Sequence, residues 1–164
     1  MGSNLVKQLV AGGSSFAVLA NFLSGYPSNL DPFPSVNIIE GDVRDKSIVE
    51  KAMQGIEVAF HFAASVGNNR SIEFPTIDAE INVSSTLNVL EVANNAGVRK
   101  IVTSNSAGRF GEIKSIPFKE NHPIESNLPY GCSKLYEEYI YLSFDILYDI
   151  DAVCLRYFNV NGPN

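Results

Sequence analysis

"PYGCSKLYEEYIYLSFDILYDIDAVCLRYFNV", residues 129–160, contains a helix pattern followed at once by a strand pattern. Residues 129–147 carry apolar side chains at helical spacing behind an initial proline, and residues 151–160 form a short apolar run typical of a strand. A second apolar run, KIVTSNS at 100–106, comes before this unit and also predicts a strand. A strand, a helix and a strand in that order predict two parallel strands joined by a helical crossover.

The same alternation extends over the rest of the chain. The pattern predicts helices at 3–11, 47–55 and 73–97, and strands at 16–22, 36–41 and 58–64. The strand at 58–64 is expected to be buried, with His61 as a hydrogen-bonded strand residue. Strands that are apolar on both faces and alternate with helices predict a parallel sheet covered on both sides. The predicted fold class is therefore α/β, a doubly wound parallel sheet in one domain over residues 1–164.

Composition excludes several classes of function. The formal net charge of −6 and the scattered basic residues argue against a nucleic-acid partner, which would require a basic surface. No apolar run approaches the roughly 20 residues of a membrane span, so no membrane partner is expected. Two cysteines are too few for a disulfide framework, which indicates a cytoplasmic protein. Neither histidine has cysteine or carboxylate neighbours at zinc spacing, so no metal site is predicted.

One tyrosine and one lysine stand out as candidate catalytic residues. Tyr130 and Lys134 lie four residues apart at the start of the predicted helix 129–147. A phenol has a pKa near 10, and an ammonium one turn away would lower it towards the range of a useful base. This spacing is also common by chance on helix faces. The order of the chain favours chemistry, because Ser106 ends the preceding strand and could hold a substrate oxygen beside the phenol.

Ligands of open parallel sheets bind beyond the carboxyl ends of the strands. The carboxyl ends of the five predicted strands are therefore expected at the ligand-binding edge, which points to Asn21, Asp42, Ala63, Ala64, Ser104 to Ser106 and Tyr157 to Asn159.

Six stretches together resemble a known family. They are EGDVRD (40–45), VAFHFAASVG (58–67), EINVSSTLNVLEVANNAGVRKIV (80–102), SNSAGRFGE (104–112), PYGCSKLYEE (129–138) and LRYFNVNGPN (155–164). Their order and content resemble the extended short-chain dehydrogenase/reductases, in the NAD-dependent sugar epimerase/dehydratase group. The nearest branch is similar to the UDP-glucose 4-epimerase type. The resemblance implies a Rossmann-like fold, NAD as cofactor, a nucleotide sugar (a UDP-sugar) as substrate and a homodimer formed through the helices at 73–97 and 129–147.

The resemblance also implies roles for single residues. Tyr130 would be the catalytic acid and base, Lys134 would lower its pKa and bind the nicotinamide ribose, and Ser106 would bind the sugar oxygen. Hydride would pass from a sugar carbon to NAD and return to the opposite face. The further contacts that it implies are Gly2 at the end of the glycine-rich turn, Asp42 and Val43 beside the adenine, Ala63 and Ala64 along the cofactor channel, Asn82 on a helix facing the site, Tyr157 near the nicotinamide and Asn159 near the substrate.

The sequence departs from the family at four places. The family's usual first strand and the first two glycines of its turn have no counterpart before Gly2, and its C-terminal substrate domain is not found within residues 1–164. Ala20 stands where NAD-binding relatives usually have an acidic residue. Ala107 and Gly108 stand where dehydratases carry an acidic pair, which disfavours dehydration. We expect a partial dinucleotide-binding domain, and two alternatives stay open: a non-catalytic remnant or interaction module, and an NAD(P)-dependent carbonyl reductase using the same Ser106, Tyr130 and Lys134.

Overall fold

A computed structural model describes residues 1–162, so that Pro163 and Asn164, the end of the last motif, lie outside the described residues. The helices are α1 (Gly2–Ala11), α2 (Lys46–Ala52), α3 (Asn68–Glu73), α4 (Pro75–Ala79), α5 (Ser85–Ala96) and α6 (Pro129–Tyr148). The strands are β1 (Ala17–Ala20), β2 (Asn37–Glu40), β3 (Val58–His61), β4 (Lys100–Ser106) and β5 (Asp151–Tyr157). Short 3₁₀ turns occupy Pro27–Leu30 and Ala107–Phe110, and a π-helical turn occupies Glu80–Ser84.

All strand pairs are parallel, and they form two small sheets. β1 pairs with β2, while β4 lies between β3 and β5. Within residues 1–162, no strand lies against the free edges of β1 and β3. The predicted α/β class with parallel strands is confirmed. In β3 Phe60 is 41% exposed, so the expectation of a buried strand there was wrong at this position.

Local sequence signals explain where the helices begin and end. The Asp45 carboxylate accepts hydrogen bonds from the backbone N–H groups of Ser47 (3.0 Å) and Ile48 (3.4 Å) and so caps α2. Pro129 occupies the first turn of α6, where a missing N–H costs nothing. Gly97 adopts a left-handed conformation (φ 72°) and ends α5, because glycine reaches this region without a steric penalty.

The helix predicted after Pro75 and ended by Gly97 is confirmed as a continuous helical segment, formed by α4, the π-helical turn at Glu80–Ser84 and α5. Phe74 separates this segment from α3, since the residue before a proline is pushed out of the helical region. The π turn widens the helix by one residue at Asn82, and such turns are frequent at functional sites.

The hydrophobic core lies where α2, α5 and α6 pack on the strands. Its buried members are Val49, Met53, Val89, Leu90, Val92, Ala93, Val98, Ile101, Tyr141 and Ile150. Since α6 packs along β4 and β5, its first turn reaches the carboxyl end of β4. None of the helices described in residues 1–162 is long and apolar enough to cross a membrane.

Candidate active site

Three of the predicted site residues, Ser106, Tyr130 and Tyr157, lie together at the carboxyl ends of β4 and β5. Ser106 and Tyr157 are direct partners in the β4–β5 register. The Ser106 hydroxyl accepts a hydrogen bond from the backbone N–H of Gly108 at 3.1 Å. A Cβ placed on Gly108 would lie 3.3 Å from Ser106 Oγ and 3.7 Å from two ring carbons of Tyr130. The serine hydroxyl and the phenol ring therefore border the same small space, and Gly108 leaves it open.

A second glycine lets α6 approach this edge. A Cβ on Gly131 would lie 2.5 Å from the carbonyl oxygen of Gly108 and closer still to Ser126 Oγ. Real Cβ atoms do not reach such distances, so only glycine permits the contact between the first turn of α6 and the turn after β4. Gly131 therefore fixes the position of its neighbour Tyr130 relative to Ser106.

Lys134 lies one turn further along α6 and is almost fully buried. Its side chain is 3% exposed, and its Nζ lies 2.8 and 3.0 Å from the two carboxylate oxygens of Glu137. The Nζ also donates to the carbonyl oxygen of Ser104 at 3.3 Å. Glu137 was not predicted as a site residue, although its position three residues after Lys134 on a helix is a spacing at which charged side chains meet. The ammonium that was expected to act on Tyr130 is thus held by a carboxylate in this structure.

Asn82 joins the loop after β3 to α6. Its Oδ1 accepts from the backbone N–H of Ser65 at 2.8 Å, and its Nδ2 donates to Ser65 O (3.0 Å), Asp78 Oδ1 (3.0 Å) and Ser133 Oγ (3.2 Å). The side chain is fully buried. Its amide donors are therefore all used within the protein, and Asn82 fixes the backbone of Ser65 against the helix that carries Tyr130 and Lys134.

The predicted adenine contacts lie at the carboxyl end of β2. The Asp42 carboxylate accepts four hydrogen bonds: from the backbone N–H of Arg44 (2.9 Å), from Arg44 Nε (2.9 Å) and Nη2 (2.8 Å), and from Asn21 Nδ2 (2.9 Å). The hydrogen bonds from Arg44 hold the pKa of Asp42 well below its usual range, although partial burial opposes them. Four donors fill the acceptor sites of a carboxylate. The amino group of a bound adenine would therefore have to share an acceptor site with one of these four donors or replace it.

The other predicted cofactor contacts are open. Ala63 is exposed and Ala64 is half-buried after β3. Gly2 is exposed at the start of α1, and a Cβ placed there would meet no atom within 4 Å. Val43 is half-buried, and its carbonyl oxygen accepts a hydrogen bond from Asn88 at 2.6 Å. Asn159 is exposed beyond the end of β5.

A buried polar pair lies behind Lys134. His61 Nδ1 contacts the hydroxyl of the fully buried Tyr141, while His61 Nε2 has no hydrogen-bond partner among the described residues. Burial lowers the pKa of His61 to about 3, and the charge of Lys134 acts in the same direction. Burial likewise raises the pKa of Tyr141. His61 is therefore a neutral strand residue. The expectation that it is hydrogen-bonded holds for Nδ1 and not for Nε2.

Glu138 forms the centre of a second buried cluster. It accepts from Arg156 Nε (3.1 Å) and Nη2 (2.7 Å), and it pairs with the buried guanidinium of Arg109. Burial alone would raise the pKa of Glu138, but the hydrogen bonds and charges of Arg156 and Arg109 outweigh it and lower the pKa. This cluster ties α6 to the turn after β4 and to β5, and so supports the edge where Ser106 lies.

Comparison with known proteins decides the family. Residues 1–164 match the model of the NAD dependent epimerase/dehydratase family. The chain belongs to this family. NAD is the family's cofactor, which agrees with the cofactor expected from the sequence.

Individual relatives point in the same direction. The chain is 38% identical to a putative UDP-glucose 4-epimerase of Methanocaldococcus jannaschii, over 99% of this chain and 53% of that protein. It is 37% identical to a UDP-glucose 4-epimerase of Lacticaseibacillus casei, over 99% of this chain and 49% of that protein. The structure of the Thermus thermophilus UDP-glucose 4-epimerase complex with NAD matches with a TM-score of 0.92 at 34% identity, covering 99% of this chain and 53% of that one. The chain thus spans about half the length of the curated relatives it matches.

Proposed function

We propose that the chain is the dinucleotide-binding, proton-transferring part of an NAD-dependent nucleotide-sugar 4-epimerase that acts on a UDP-sugar. The observation that carries the proposal is the convergence of Ser106 and Tyr130 around Gly108, with the buried Lys134 one helical turn below. A structure of the Thermotoga maritima UDP-glucose 4-epimerase with UDP-glucose, 30% identical with a TM-score of 0.92, supports the substrate class. Bound NAD would supply the hydride acceptor and donor for the sugar carbon.

Each of the three residues has a distinct task in this proposal. Tyr130, half-buried at the start of α6, removes the proton from the sugar hydroxyl as hydride leaves and returns it afterwards. Ser106 donates a hydrogen bond to the same sugar oxygen and so fixes its distance from the phenol. Lys134 contributes the positive charge that favours the phenolate and binds the nicotinamide ribose. Tyr157, beside Ser106 in the register, and the exposed Asn159 border the nicotinamide and the substrate.

The remaining contacts fit a dinucleotide along the carboxyl edges of the strands. Gly2 and Ala63 are exposed and carry almost no side chain, so a cofactor can approach their backbone closely, and Ala64 lies beside Ala63. Asp42 and Val43 would flank the adenine, with Asp42 releasing or sharing one of its present donors. In this proposal Asn82 acts on the cofactor channel indirectly, by holding the backbone of Ser65.

The proposal is tested by measuring NAD binding and sugar turnover on the purified protein. We expect NAD binding by calorimetry and interconversion of UDP-galactose and UDP-glucose, followed by proton NMR, without net consumption of NADH. Stoichiometric oxidation of NADH with a carbonyl substrate, and no interconversion, would instead identify a carbonyl reductase. If the protein neither bound NAD nor turned over a sugar, the non-catalytic alternative would be supported.

We also propose that the protein is a homodimer joined through α6 and the helices before β4. Large side chains remain exposed on or between these helices: Ile72 (56%) on α3, Phe74 (46%) between α3 and α4, and Tyr139 (55%), Leu142 (41%) and Ile146 (80%) on α6. Such a group of exposed apolar side chains is typical of an interface. Leu142→Glu is expected to convert the dimer to a monomer in light scattering, whereas Leu23→Glu, at a leucine after β1 that is more exposed (66%), should not. A wild-type monomer at micromolar concentration would contradict the proposal.

A cytoplasmic location is the final part of the proposal. Cys132 and Cys154 are both free thiols in the structure, as expected in a reducing compartment. We expect cell fractionation to recover the protein in the cytoplasmic fraction, with both cysteines accessible to a thiol label. Recovery of protein with oxidised cysteines in another fraction would contradict the proposal.

A further inference from the structure

The Lys134 ammonium has no free donor in this structure. An ammonium carries three N–H donors. Two point to the Glu137 carboxylate oxygens at 2.8 and 3.0 Å, and the third points to the Ser104 carbonyl at 3.3 Å. Lys134 and Glu137 are 3% and 1% exposed, so water does not compete for these bonds. A cofactor hydroxyl can be bound by this lysine only after one of the three bonds is given up.

The bond to give up is one of those to Glu137. The Ser104 carbonyl belongs to β4 and cannot move without disturbing the strand, whereas the carboxylate is at the end of a side chain. Protonation of Glu137 would convert one of its oxygens from an acceptor into an O–H donor. That single change removes one acceptor from Lys134 and releases one N–H towards the carboxyl edge of the sheet.

We propose that Glu137 is a positioning residue whose protonation releases the Lys134 ammonium for NAD, so that NAD binding is coupled to proton uptake by Glu137. This inference rests on the proposed function, because it takes Lys134 to be a cofactor contact. It assigns to Glu137 no contact with substrate or cofactor. Glu137 acts only through Lys134, by setting how much of that charge is available to the ribose and to Tyr130.

The surroundings of Glu137 favour a proton there near neutral pH. Burial raises the pKa of Glu137 to about 7, and the charge and hydrogen bonds of Lys134 only partly oppose this. Thr86 Oγ1 on α5 donates a weak hydrogen bond to Glu137 at 3.4 Å. The other titratable groups that act on Glu137 or Lys134 come from four elements: Asp78 on α4, Tyr141 on α6, His61 on β3 and Cys154 on β5. His61 and Tyr141 are held neutral by burial, so Asp78 and Lys134 are the principal charges.

The direction of the pH effect follows from this linkage. A ligand that binds better when Glu137 is protonated binds more tightly at lower pH. We therefore expect the Kd for NAD to be about tenfold lower near pH 6 than near pH 8, the effect of one hydrogen bond to a charged group. Calorimetry in two buffers of different ionisation enthalpy should show proton uptake at about pH 7. Glu137→Gln keeps one acceptor and cannot ionise, so its affinity should be high and independent of pH.

The matched control is Glu91→Gln. Glu91 forms a Lys–Glu pair with Lys46 at 3.0 Å, but that pair lies on the surface, where 50% of the Lys46 side chain and 55% of the Glu91 side chain are exposed. Its removal should leave both the pH dependence and the proton uptake unchanged. NAD binding by the wild-type protein that is independent of pH and proceeds without proton uptake would overturn the inference, whatever the folding of the Glu137 variants.

One readout separates this inference from the proposed function. In protein labelled at the lysine Cε carbons, the Lys134 NMR signal, identified by its loss in Lys134→Arg, should shift around pH 7 in the absence of any cofactor. A shift without NAD binding at any pH would support the Glu137 switch on Lys134 and reject the proposed cofactor function. A Lys134 signal that does not titrate between about pH 5 and pH 8 would overturn the inference even if NAD binds.

Discussion

Tyr130→Phe is expected to lower kcat for UDP-sugar interconversion by about 10²–10⁴-fold, the usual contribution of a positioned acid–base group. The phenylalanine ring keeps the packing against Gly108 but has no hydroxyl to exchange a proton with the sugar. NAD affinity should change by less than about twofold, because Lys134 and the carboxyl edges of β2 and β3 are untouched. Turnover by proton NMR and NAD binding by calorimetry on the same preparation would measure both quantities.

Tyr148→Phe is the matched control for this experiment. Tyr148 lies at the other end of the same helix and is 48% exposed, so loss of its hydroxyl removes the same atom far from Ser106. Its kcat should equal that of the wild-type protein within experimental error. A Tyr130→Phe protein that kept more than about a tenth of the wild-type kcat would show that another group transfers the proton, and Tyr130 would then only line the site.

Much of the fold could be predicted because its signals are local. The strand at 100–106 and the helix starting at Pro129 agree with β4 and α6 to within a residue, since an apolar run and a helix-starting proline are both read directly from the sequence. The helix that starts at Pro75 and is ended by Gly97 was predicted for the same reason. Its π-helical turn was not predicted, because Asn82 in that turn contacts Ser65 and Ser133, which are far from it in the chain.

The site was predicted in outline for a similar reason. Ser106, Tyr130 and Tyr157 lie at strand or helix ends, and parallel topology alone brings such ends to one edge. The buried charges were not predicted, because their partners are set by packing. Arg109 and Glu138 each lie within one of the quoted motifs, 104–112 and 129–138, but nothing in the sequence pairs them. Their pairing across the turn after β4 depends on how closely Gly131 lets α6 approach.

Glu138→Gln is expected to reduce the free energy of unfolding by about 3–5 kcal/mol, the usual cost of removing one partner from a buried ion pair. Arg109 is 4% exposed, and its Nε already lacks a hydrogen-bond partner among the described residues. Without the Glu138 carboxylate its guanidinium would be a buried charge with no counter-charge, whereas the half-exposed Arg156 could turn towards water. Urea unfolding followed by circular dichroism would measure the loss, and the melting temperature should fall on the order of 10 °C.

The pH dependence gives this prediction a second, independent test. Arg156 and Arg109 hold the folded-state pKa of Glu138 below its ordinary value of 4.5. The stability that Glu138 contributes is therefore fully present above about pH 4.5 and is lost as the pH falls through the folded-state pKa. The difference in the free energy of unfolding between wild type and Glu138→Gln should accordingly shrink in that acid range.

Glu112→Gln is the control, because Glu112 faces Lys114 at 3.4 Å with 74% of its side chain exposed, and such a surface pair contributes at most about 1 kcal/mol. An equal loss of unfolding free energy in the two variants would mean that Glu138 is not needed to stabilise the buried charge of Arg109.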